Sequence, residues 1–109
     1  MVDFNNIIEE LKDLILPLAK DTVEEYKDEA VKDGKALLNK IKDDLAKWIT
    51  QLENREISED DLKWLIEGKK DLAEMVLLKQ KGLAMAKIGK FQKGLFNLVV
   101  TTVLSKLGS

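Results

Sequence analysis

Cysteine and histidine are both missing from the 109 residues, and proline occurs once. Without cysteine there is no disulfide frame, no thiolate metal site and no sulfur nucleophile. Without histidine the chain lacks the usual proton shuttle near neutral pH and the commonest transition-metal ligand. Neither a Ser-His-Asp triad nor a histidine-based metal site can be assembled from it. Arginine is scarce too: Arg55 stands alone among 18 basic residues, so nucleic-acid reading loses its main base-edge donor.

Long apolar runs are also lacking. The longest uncharged stretch, Gly94 to Ser105, has twelve residues, whereas a membrane-spanning helix needs about 20. Asp3 and the charges that run through "MVDFNNIIEELKDLILPLAK" do not fit a secretory leader. The expectation is a soluble, cytoplasmic chain without a transmembrane helix.

What the chain does have is 45% hydrophobic and 35% charged residues, with only six glycines. That balance, spread over long Ala/Leu/Glu/Lys-rich stretches, predicts one all-α domain over residues 1–109. Val23, Tyr26, Ala30, Gly34, Leu37, Ile41, Leu45, Trp48 and Leu52 recur at steps of three and four, the signature of one helix face. Ala30 and Gly34 lie on that stripe and would let a neighbouring helix come close. Upstream, Phe4, Ile8, Leu11, Ile15 and Leu18 form a similar stripe. Pro17 lacks a backbone donor and crowds the carbonyl of Asp13, and Asp21 with Glu24 resembles a capping box, so either a kink at Pro17 or a break and restart between Pro17 and Asp21 is expected.

The clearest boundary is "LENREISEDDLKWL". Ser58 followed by Asp61 predicts an N-cap, and Glu59 and Asp60 put negative charge where a helix start favours it. One helix should end near Glu53 and the next begin at Ser58, with the turn at residues 54–57. Beyond it, Leu62, Leu65, Leu72 and Val76 mark an inward face, followed by Ala84, Ile88, Phe91, Leu95, Leu98 and Thr102. Glycines at 82, 89 and 94 weaken this second pattern, by up to about 1 kcal/mol each relative to alanine. The predicted architecture is a long antiparallel helical hairpin or a three-to-four-helix bundle, with breaks near Pro17 and within Gly82–Gly94.

Charge is divided unevenly. Asp3 to Asp33 holds ten acids against four lysines, while Met75 to Ser109 holds six lysines and no acid. A hairpin turning near Glu56 places these segments opposite each other, which favours the antiparallel arrangement over like-charged alternatives. Exposed ion pairs contribute only about 0–1 kcal/mol each, so burial of the apolar stripes must supply the stability.

Sites of chemistry are sparse. Gly89-Lys90 does not complete a phosphate loop, because Gly82 is two residues too far away and Phe91 stands where Ser or Thr is needed. The paired acids Glu9/Glu10, Glu24/Glu25, Asp28/Glu29 and Asp43/Asp44 alternate with lysines as a solvated face does, and none has EF-hand spacing. Trp48 falls on the inward stripe and Trp64 outside it.

The sequence therefore points to a non-catalytic helical interaction or assembly protein without a cofactor, metal or small-molecule substrate. Around "GLFNLVVTTVLSKL" apolar residues cover much of the helix circumference, more than one seam needs. Leu95, Phe96, Val99, Val103 and Leu107, with Ile8, Leu11 and Ile15 opposite them, are the expected interface of a homo-oligomer. The alternative is peripheral binding to an anionic membrane surface, or another anion, through Lys81, Lys87, Lys90 and Lys93.

Overall fold

The computed structural model describes residues 3–107, and every described element is helical. Five α-helices follow one another: α1 (Phe4–Val23), α2 (Lys27–Glu53), α3 (Glu59–Glu67), α4 (Val76–Gln80) and α5 (Met85–Leu107). Single 3-10 turns at Glu24–Tyr26 and Lys70–Leu72 punctuate them. α2 alone is about 40 Å long at 1.5 Å per residue. Because the molecule measures 43 × 23 × 19 Å, a straight 50-residue arm of about 75 Å is excluded and the chain is a bundle.

The tip forms where the sequence places it. α2 ends at Glu53, and the backbone N–H groups of Arg55 and Glu56 donate back to Leu52 and Gln51 at 3.1 and 2.8 Å. This is a Schellman closure with Arg55, at φ 60°, in the left-handed position usually held by glycine. Ser58 then caps α3 in a full capping box: its hydroxyl accepts from Asp61 N–H at 3.1 Å, and the Asp61 carboxylate accepts from Ser58 N–H at 3.0 Å.

Both halves of this hairpin fold back once more, one of them away from the expected place and the other within it. α1 runs unbroken through Pro17 and Asp21. Pro17 is exposed, so the unpaired carbonyl it leaves lies on the outer side of the helix, where water satisfies it. The break comes instead at Val23 and Tyr26, whose backbones leave the helical region at φ −141° and −125°. On the other side the break falls at residues 81–84, with Gly82 at φ 73°. Gly89 and Gly94 lie inside continuous α5.

Four antiparallel rungs result, namely α1, α2, the α3–α4 segment and α5. Mirror pairing about Glu56 survives the folding: Asp44 meets Lys69 at 3.0 Å, Lys40 meets Glu74 at 3.7 Å and Glu10 meets Lys106 at 3.2 Å. Two glycines permit the closest approaches to α1. A β-carbon at Gly34 would lie 3.1 Å from the buried Ile15, and one at Gly94 would lie 2.7 Å from Leu18.

Large side chains essentially fully buried include Ile7, Leu11, Ile15, Leu37, Ile41, Ile88, Phe91 and Leu95. Each contributes about 1.5–3 kcal/mol, against about 0–1 kcal/mol for each exposed ion pair. The core holds the bundle, and charge selects among ways of packing it. Val76 departs from the expected inward face, being 46% exposed.

Candidate functional site

The expected interface residues are brought together, but inside one chain. Ile8, Leu11 and Ile15 on α1 and Leu95, Phe96, Val99 and Val103 on α5 are all buried in the single core, and Leu107 is half-buried at its edge. The apolar surplus read from the two ends is therefore absorbed by the bundle. α5 faces α1, α2 and α3 at once, and a helix with three neighbours needs a wide apolar arc. As a surface for another molecule, this set is replaced by what remains outside.

Outside stands the basic stretch. Lys79, Lys81, Lys87, Lys90 and Lys93 are all exposed. Among the described residues none of the five forms an ion pair; of the basic residues after Met75, Lys106 alone does so. Between these lysines Met85 is 65% exposed, and Val76 lies nearby in sequence.

An opposite charge lies beside them. Asp21, Glu24, Glu25 and Asp28 are exposed around the α1–α2 turn. A shallow depression lined by Lys20, Asp21, Glu24 and Glu25 on one side, where acids outnumber the lysine, has Leu83 and Lys87 on the other. One end of the bundle thus carries an acidic lip and a basic lip side by side, with no ion pair joining them among the described residues.

A larger groove of about 680 Å³ opens between α5 and the irregular backbone that follows α3. Lys70, Lys79 and Lys93 face Glu67, Asp71 and Glu74 across it, over a floor of Ala73 and Phe96. All six charged residues are exposed and their charges balance. Among the described residues no three acids gather where they could hold a metal ion.

The polar residues that organise this region are ones the sequence does not single out. Asp33, only 8% exposed on α2, accepts the backbone N–H groups of Leu77 and Leu78 at 3.1 and 3.0 Å. It supplies from 44 residues away the cap that α4 lacks, because Met75 precedes that helix in the left-handed region at φ 52°. Gln92 on α5 donates to the Ala73 carbonyl at 2.6 Å, and Lys40 on α2 donates to that of Leu72 at 3.4 Å. Lys69 pairs with Asp44 and lies 5.9 Å above the Trp48 ring. Acid, amide and lysine side chains of this kind are too common in sequence to reveal such long-range roles. Trp64 is 74% exposed on α3, in keeping with its position off the inward stripe.

Comparison of the chain with known protein families, curated proteins and solved structures returns no match. Among the described residues no helix is long and apolar enough to cross a membrane.

Proposed function

We propose that this chain is a non-catalytic helical interaction module that assembles with copies of itself. The observation that carries the reading is charge left unpaired among the described residues: five exposed lysines of an acid-free stretch lie beside the exposed acids of the α1–α2 turn, with no ion pair joining them. The formal net charge is only −2, so copies repel one another weakly and opposed local patches can attract. The contact surface is charged and lies outside the bundle, in place of the apolar ends that the core consumes.

The test is molar mass by light scattering during size-exclusion chromatography, over a wide concentration range at low salt. Mass should rise with concentration. A constant monomer mass up to millimolar concentration would count decisively against assembly. Val99→Asp serves as a control: Val99 is wholly buried within the monomer, so this change should unfold the chain rather than only separate copies.

A further inference from the structure

Symmetric assembly asks for a surface that complements itself. In a two-fold pair one residue of a copy meets a different residue of the other and the reverse contact repeats across the axis, so a charged contact needs a patch of one sign beside a patch of the other. The end formed by the α1–α2 and α4–α5 turns meets this condition. Glu24 and Glu25 project from the first turn, Lys81 lies in the second and Lys87 just beyond it, and all four are exposed. The depression lined by Lys20, Asp21, Glu24, Glu25, Leu83 and Lys87 puts Lys87 beside the acids, and Lys81 stands two residues before Leu83 in the same turn.

We infer that two copies dock end to end here, the lysine lip of each on the acidic lip of the other, with the exposed Met85 of each copy covered at the centre. The inference rests on the self-assembly reading and names its surface. An anionic membrane is the poorer occupant, because the same end would present Asp21, Glu24 and Glu25 to the lipid phosphates. A second copy satisfies both lips at once. The cross-section of 23 × 19 Å offers much less than the roughly 800 Å² per partner of a standard interface. The dimer is accordingly weak, concentration-dependent and sensitive to salt.

Charge reversal tests this directly on the full chain. One variant carries Lys81→Glu and Lys87→Glu, the other Glu24→Lys and Glu25→Lys; circular dichroism melts confirm folding, since all four positions are exposed. In sedimentation velocity, each variant alone should lose association by at least about tenfold. Mixed together, one variant presents two acidic lips and the other two basic ones, and a heterodimer should form that is tighter than the wild-type pair. Raising salt from about 0.01 M to about 1 M, where the Debye length falls from roughly 30 to roughly 3 Å, should dissolve it.

Association of the wild type that neither variant alters would overturn this surface while leaving self-assembly standing. A wild type that stays monomeric overturns both. A monomer that sediments with phosphatidylserine vesicles, but not with phosphatidylcholine vesicles, overturns both in favour of a lipid partner.

Discussion

α2 crosses the bundle as 27 unbroken helical residues, whereas the rung facing it, from Glu59 to Gln80, covers a similar span as two helices and a 3-10 turn joined by irregular backbone. Both contribute to the same core, through Leu37, Leu38, Ile41 and Leu45 on one side and Leu62, Ile66 and Leu78 on the other. What differs is how the backbone is satisfied. α2 closes its own hydrogen bonds and brings a continuous apolar stripe. The facing rung closes only part of its own and takes further bonds, at Leu72, Ala73, Leu77 and Leu78, from Lys40, Gln92 and Asp33. An apolar stripe is enough to dock a helix, but irregular backbone against a core must also find polar partners.

The contrast can be broken most strongly at the core both rungs share. Phe91 is fully buried, and Phe91→Ala should cost about 3–5 kcal/mol in urea unfolding, removing most of the stability of a domain this size. Next comes the pinned rung itself. Asp33→Ala leaves the Leu77 and Leu78 amides without their acceptor and should cost about 1.5–3 kcal/mol, with Asp33→Asn, which keeps one acceptor oxygen, falling between. Nuclear magnetic resonance should show the shift changes concentrated in residues 72–80 and sparing the centre of α1. Changes spread evenly over all four rungs would erase the distinction.

Glycines sharpen the comparison on the helical side. Gly34→Ala should destabilise, because its new methyl would press on Ile15, which is fully buried and has no room to yield. Gly89→Ala meets nothing within 4 Å and should stabilise by up to about 1 kcal/mol. The pair is read as opposite shifts in thermal midpoint. Smallest is Arg55→Gly, expected to stabilise by about 1 kcal/mol, since glycine occupies the left-handed position at the tip without the crowding a β-carbon brings.

The legible parts of this fold were those whose signals are local. The stripe of α2, the end at Glu53, the cap at Ser58 and the antiparallel mirror about Glu56 all follow from residues within a few positions of one another. The fold-back after α1 was misplaced for the converse reason, whereas the one at Gly82 lies within the expected stretch. Pro17 can sit in an unbroken helix because its side faces water, and Gly94 is there to admit Leu18, facts that depend on which neighbour arrives. The turn at Val23–Tyr26 contains neither glycine nor proline to announce it. Asp33 looked like one acid among many; its role is set by a helix 44 residues away. The apolar ends were rightly read as needing cover, but periodicity cannot tell cover within a chain from cover by another copy. The lysines between Lys79 and Lys93 and the acidic segment opposite them were legible as a division of charge about Glu56; which of those charges share one depression was not, because that depends on where each arm folds back.

The pinning of α4 has an outcome for motion. A helix of five residues cannot persist unaided, so release of the Asp33 carboxylate would loosen residues 76–80, while Lys40 and Gln92 still hold the backbone at Leu72 and Ala73. Deuterium should therefore enter the Leu77 and Leu78 amides well before it reaches those of Ile41 or Val99, and that early exchange would mark a hinge already present in the resting molecule.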